Sequence, residues 1–185
     1  MIFNKHSYLE GQHAFLSPSK YHWIRYSEEK LDLTYSTRQA AQRGSELHDF
    51  AMNAILLGIK LPRSRKTLNL YVNDAIEFRM KVEQHLFYSF NCFGTADAIS
   101  FRNNFLRIHD LKTGDTRCSM DQLCIYAAIF CLEYDHRPDE IEIELRIYKS
   151  DEVEVFTPDP EYIHEIMVKI VAFDKRIDNL RRVEE

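Results

Sequence analysis

The stretch FGTADAISFRNNFLRIHDLKTG, residues 93–114, constrains the fold more than any other part of the chain. Two apolar segments flank Asn103-Asn104, and asparagine tolerates the positive φ angles that a two-residue type I′ hairpin requires. A two-residue loop fixes the strand register, so 102 faces 105, 99 faces 108 and 97 faces 110. Asp97 and Asp110 then oppose each other inside otherwise apolar strands, with Cβ atoms about 5 Å apart. A three-residue loop would instead put them on opposite faces. Facing like charges are destabilising unless a cation sits between them or one is protonated. A divalent metal meets that need, because Mg²⁺ takes one or two carboxylates and keeps its other positions for water and phosphate oxygens. Lys112 lies two residues beyond Asp110 and points to the same side. An ammonium there can activate water or stabilise charge developing on a phosphate. Two acids and a lysine converging in this way suit metal-assisted phosphodiester hydrolysis. The competing reading is an exposed strand end whose charges face water.

The remaining periodicities supply the other elements. Ala40, Leu47, Ala51, Ala54 and Ile55 recur at helical spacing, and Gly58 with Pro62 closes a helix over 37–58. A short helix is expected near 71–79 and a strand over 82–90. SMDQLCIYAAIFCLEY is an apolar helix over 119–134, opened by an S-x-x-Q capping pattern at Ser119 and Gln122. Ile141, Ile143, Leu145 and Ile147 alternate along a half-buried strand over 140–148, and VEVF pairs with it across Ser150-Asp151. A long amphipathic helix with Pro160 near its start closes the chain. The strand, helix and strand around 119–134 form a βαβ unit with a right-handed crossover. The expected class is α/β, a mixed central β-sheet flanked by helices. Its 185 residues are expected to form a single domain, with a helical part over 15–80, a sheet core over 82–156 and a final helix over 160–183.

Net charge is −5, unevenly spread: residues 1–66 hold ten Lys/Arg and six Asp/Glu, while the remainder holds fourteen and twenty-three. A basic first third beside an acidic remainder permits a local anion-binding face. No apolar run approaches the roughly 18 residues that cross a bilayer. Residues 1–13 show no signal-peptide pattern, which with four cysteines leads to the expectation of reduced thiols and a cytoplasmic location.

GTAD (94–97), DLK (110–112), QLCIY (122–126) and, upstream, GSELH (44–48) together resemble the PD-(D/E)XK nuclease superfamily. The resemblance is to its RecB-like branch, which includes CRISPR-adaptation nucleases and phage recombination exonucleases. That branch carries G-x-x-x-H on a helix, G-x-x-D on one strand, D/E-x-K on the next and Q-x-x-x-Y on the following helix, in that order. The resemblance implies a restriction-endonuclease-like αβββαβ core. It also implies Mg²⁺ or Mn²⁺ held by His48, Asp97, Asp110 and the Leu111 carbonyl, and a water-activating role for Lys112. Gln122 and Tyr126 would orient the site or touch DNA, and Glu83 would be a further acid. The implied activity is metal-dependent DNA hydrolysis, as an exonuclease in recombination, repair or phage DNA processing. A structure-specific endonuclease and a non-catalytic DNA- or protein-binding module are the alternatives. The implied setting is a bacterial or phage-infected cell, with DNA as partner and with room for a homo-oligomer or a recombination or replication protein.

Each of these residues also has a plainer reading: His48 and Tyr126 as core side chains, Gln122 as a cap, Gly44 as a chance mid-helix glycine. Some RecB-like members hold an iron–sulfur cluster, with one cysteine before the nuclease core and three near the C-terminus. Here Cys92, Cys118, Cys124 and Cys131 all fall inside the core segment, so no cluster is expected. LSPSKYHWIRY interleaves Lys20, His22 and Arg25 with aromatics, as a nucleic-acid contact or as an amphipathic helix packing Tyr21 and Trp23 or Ile24 inward. KLPRSRK adds Lys60, Arg63, Arg65 and Lys66, to track a DNA backbone or to form a solvated loop.

Overall fold

The computed structural model describes residues 5, 7–9, 11, 14–114 and 119–184. Residues 1–43 and 44–185 form two compact units, and the boundary falls inside the first long helix, α1 (Glu28–Leu56). Helix α1 starts nine residues before the expected start at 37. Its start is set by Ser27, whose hydroxyl accepts from Lys30 N at 3.2 Å, followed by Glu28 and Glu29 in the first turn. In the first unit, a 3₁₀ segment over Pro18–Arg25 has no buried residue. Trp23 Nε1 donates to the Ser17 carbonyl at 3.0 Å, while Tyr21 and Ile24 stay exposed, so the inward-packing face does not form there.

The second unit continues with α2 (Thr67–Glu77), β1 (Lys81–Ser89), β2 (Cys92–Arg102), β3 (Phe105–Leu111), α3 (Met120–Glu133), β4 (Glu142–Lys149), β5 (Glu152–Phe156) and α4 (Pro160–Glu184). The five strands form one mixed sheet in the order β1-β2-β3-β4-β5. All neighbours are antiparallel except β3 and β4, which run parallel on either side of α3. The fold is α/β, as the periodicities lead one to expect. Asn103 and Asn104 take φ of 53° and 59°, and the β2–β3 pairs run from Arg102↔Phe105 to Ala98↔His109, the register a two-residue loop demands. Ser150 and Asp151, at φ 53° and 62°, repeat the device between β4 and β5. Asp151 also accepts from Thr67 N at 2.9 Å and so caps α2 from 84 residues away, which is why that helix begins before its expected start.

Apolar side chains bury both faces of the sheet. On one side Leu106, Ile108, Ile143, Leu145 and Ile147 pack against α3 and Ile163 of α4. On the other, Ala98, Leu111 and Tyr148 pack against Ala51 and Ala54 of α1 and Val72 and Ala75 of α2. The buried Cys124 and Cys131 sit inside α3, where desolvation pushes their thiols up to about 11 and about 12. Cys92, Cys124 and Cys131 are free thiols, and Cys118 lies outside the described residues. No helix among the described residues is long and apolar enough to cross a membrane.

The first two strands, β1 and β2, break the alternation rule at one level. Val82 packs on the α1/α2 side and Leu86 on the α3 side, although residues of equal parity on a regular strand share a face. Ala98 and Ala96 on β2 are split in the same way. The change of face is centred on Glu83 and Asp97, whose numbers continue the β1–β2 register between Val82↔Ala98 and Gln84↔Ala96. Glu83 has φ of +50° in the middle of a strand, which turns the pleat over without inserting a residue.

Candidate active site where the first two strands change face

The face change gathers side chains from four elements. Glu83 on β1, Asp97 on β2 and Asp110 on β3 stand at one level across three neighbouring strands, following the two registers. The β2–β3 ladder ends one residue earlier, at Ala98↔His109. Leu111 N–H beyond it donates to Asp97 Oδ2 at 2.9 Å. The same Asp97 oxygen lies 3.7 Å from Nδ1 of His48 on α1. His48, Glu83 and Asp97 each offer one ligand atom within 4.8 Å of the others.

Asp110, 4% exposed, has a different partner. The Lys112 ammonium donates to its Oδ1 at 2.9 Å and lies equally near Oδ2, which receives no hydrogen bond of its own. Lys112 also reaches Gln122 Oε1 at 3.4 Å, and Gln122 Nε2 makes a long contact of 3.5 Å with the Tyr126 hydroxyl. Gln122 therefore faces Lys112. The cap of α3 comes from Ser119 alone, whose hydroxyl accepts from Asp121 N at 3.1 Å.

Burial pushes Asp97 up to about 6, helped by the charge of Asp110 and opposed by the Leu111 N–H, His48 and Lys112. Tyr71 of α2, buried under the cluster, has its hydroxyl held well above the usual range by desolvation, then by Asp97, Glu83 and Asp110. Nothing in the local sequence marks Tyr71, because its closeness depends on how α2 packs on the sheet.

Both glycines of the motifs make room for side chains of neighbouring segments. A Cβ at Gly94 would sit 2.8 Å from Tyr126 Cε1, and one at Gly44 would sit 2.8 Å from Thr113 Oγ1. Gly94→Ala is expected to cost about 1–3 kcal/mol in urea unfolding, with most of the cost absent in a Tyr126→Ala background. Equal losses in both backgrounds would mean that the ring is not what Gly94 accommodates.

Asp97 and Asp110 stand at the same level of the sheet and meet different partners. The donor atoms that converge are those of His48, Glu83 and Asp97, while Asp110 stands outside that group and anchors Lys112. Glu83 holds a strained backbone at a cluster of charge, a pattern that marks functional sites. Glu83→Gly is expected to raise the stability of the metal-free protein by about 1 kcal/mol and to weaken Mn²⁺ binding. Glu83→Ala keeps the strain and should give no such gain, a comparison that denaturant unfolding in EDTA decides.

The basic residues expected to touch DNA are exposed. Lys66 is paired with Asp151 at 3.1 Å beside the start of α2, whereas Lys60, Arg63 and Arg65 face solvent. Lys20 and Arg25 belong to the first unit and are also exposed. The expectations missed Phe87 and Phe93, which pair across the β1–β2 hairpin with rings 6.4 Å apart. They are 43% and 65% exposed, and the repeated Phe of FYSFNCF was the available signal. Comparison with protein-family models, with curated proteins and with solved structures found no match for this chain.

Proposed function

We propose that the chain is a metal-dependent deoxyribonuclease with a PD-(D/E)XK-type, restriction-endonuclease-like core, acting as an exonuclease in recombination, repair or phage DNA processing. The observation that carries this reading is the convergence of His48, Glu83 and Asp97 beside the Lys112 ammonium, which is paired with the buried Asp110. The donor set fits a divalent cation on its chemistry. Two carboxylates and an imidazole suit Mn²⁺ at least as well as Mg²⁺. Asp97, pushed up to about 6 by burial and then by the charge of Asp110, would gain an opposing charge from a bound cation. A bound Mg²⁺ or Mn²⁺ would supply Lewis acidity toward a phosphate oxygen and an attacking water.

The protein's own groups divide the remaining work. His48, Glu83 and Asp97 would hold the ion. Asp110 fixes the Lys112 ammonium, which stabilises negative charge growing on the phosphate during attack. Gln122 and Tyr126 brace Lys112 from α3. The exposed rings of Phe87 and Phe93 offer π surfaces on which bases stack without regard to sequence. They lie four residues along their strands from Glu83 and Asp97.

The test is digestion of linear DNA with Mg²⁺ or Mn²⁺, set against covalently closed circles and repeated with Asp110→Ala. The expected result is loss of linear DNA only, abolished by the substitution. Cleavage of closed circles would assign an endonuclease. No cleavage of single- or double-stranded DNA with either metal would leave a binding module in place of an enzyme.

A further inference from the structure

A cavity of about 300 Å³ opens between β1, β2 and the C-terminal half of α3 and shares no residue with the cluster above. Arg79, Lys81 and Arg102 line it, and no carboxylate does, in a chain whose net charge is −5. None of the three cations forms an ion pair with a described residue. A cluster of rings lines it as well. Phe130 and His136 stack with centroids 5.6 Å apart and planes within 10°. Phe101 closes on both, at 5.0 Å and 4.7 Å. Tyr134, half-exposed, extends this ring wall toward solvent.

The sheet adds a third kind of group. Pairing of β1 with β2 begins at Lys81↔Ile99, yet β2 continues to Arg102. Among the described residues, the β1-side edge of β2 over 100–102 therefore has no strand partner, and these residues line the cavity. Unpaired main-chain groups on an edge are free to hydrogen-bond a ligand.

Each feature alone is unselective: three cations attract any anion, and a ring wall accepts any flat apolar group. Together with the open edge they fit a flat heteroaromatic ring bearing a phosphate. The volume is at the lower end of the roughly 300–1,000 Å³ typical of small-ligand pockets, the scale of a single nucleotide.

We propose that this cavity binds a nucleoside monophosphate, with its base against the Phe130–His136–Tyr134 wall and its phosphate on Arg79, Lys81 and Arg102. The assignment does not rest on the nuclease reading, because no residue of the metal cluster contributes to it. The ligand is nonetheless of the class that exonucleolytic digestion of DNA releases.

The experiment is calorimetric titration of the full chain with dAMP in EDTA, which keeps divalent metal out of the other site. Adenosine, inorganic phosphate and the trinucleotide d(AAA) are run alongside. One dAMP per chain is expected, bound about tenfold or more tighter than adenosine or phosphate alone. Lys81→Met combined with Arg102→Met should weaken dAMP about tenfold or more, since two charge-assisted contacts are lost. Both side chains are exposed, so the variant should keep the wild-type unfolding transition. Tyr134→Ala should weaken dAMP less, and Asp110→Asn not at all. Absence of saturable dAMP binding, or equal affinity in the Lys81/Arg102 variant, would overturn the proposal. So would loss of binding in Asp110→Asn, which would move the nucleotide to the metal cluster. Markedly tighter binding of d(AAA) would replace the free nucleotide by a strand.

Discussion

Lys112→Gln is expected to slow metal-dependent DNA cleavage by about 10²–10³-fold while leaving Mn²⁺-induced thermal stabilisation intact. The ammonium lies 2.9 Å from both oxygens of Asp110 and is braced by Gln122 at 3.4 Å, so its position is set before any substrate arrives. A positive group held in this way contributes most when charge builds on the phosphate, and a neutral amide in its place keeps the hydrogen bond without the charge. The choice of glutamine matters. Lys112→Met would leave the buried Asp110 carboxylate unpaired and cost about 3–5 kcal/mol of stability, confusing unfolding with lost chemistry. Asp97→Asn should differ in kind, since it removes a donor from the His48–Glu83–Asp97 group and should lose both cleavage and Mn²⁺ stabilisation. Single-turnover cleavage and thermal unfolding with and without Mn²⁺ separate the two. Retention of activity within a few-fold of wild type by Lys112→Gln would remove the ammonium from the chemistry.

Which parts of this site could be read from sequence follows from how far each feature depends on tertiary context. The β2–β3 register was legible because a two-residue turn leaves one pairing, and paired asparagines are among the few residues that supply two consecutive positive φ angles. Lys112 followed from it by strand geometry. The separation of roles between Asp97 and Asp110 did not, because it depends on β1. There Val82, Leu86 and Tyr88 have the parity of a single face, yet they pack on both sides of the sheet. The reason is the φ of +50° at Glu83, which no residue preference foretells, since glutamate is not a residue that favours that region. Gln122 fitted a helix-capping pattern equally well, and only the approach of Lys112 decides its partner. The early start of α2 has the same origin: its cap, Asp151, lies in a turn at the far side of the sheet. Local chemistry was thus readable wherever a turn or a helix period determined it, and unreadable wherever a side chain met its partner across the sheet.

The site and the core beneath it also set opposite responses to acid, which two variants should expose. Desolvation pushes Asp97 up to about 6, with Asp110 adding to it, so the folded state binds a proton more readily than the unfolded chain does. Stability from this group therefore rises as pH falls from about 6 toward 4. His109 behaves in reverse. It is wholly buried, its Nδ1 lies 3.2 Å from the Tyr148 hydroxyl, and its Nε2 has no partner. Burial, then Arg146 and Arg107, lower it to about 3, so the unfolded chain takes the proton first and stability falls as pH drops below about 6.5. Over pH 6 to 4.5 the two contributions nearly cancel in the metal-free wild type. Asp97→Asn leaves His109 unopposed and should lose about 2 kcal/mol over that range. His109→Leu leaves Asp97 unopposed and should gain a similar amount, about 2 kcal/mol. The second variant creates no new buried donor, because the Tyr148 hydroxyl already donates to Asp74 at 2.7 Å. Urea unfolding in EDTA at pH 6.0, 5.2 and 4.5 measures the divergence. Parallel curves for the two variants would mean that neither group carries the proton linkage that its surroundings impose. With saturating Mn²⁺ the Asp97 contribution should disappear, since an ionised ligand no longer titrates there, and the wild type should then fall with acid at least as steeply as Asp97→Asn, because a bound Mn²⁺ also requires a neutral His48.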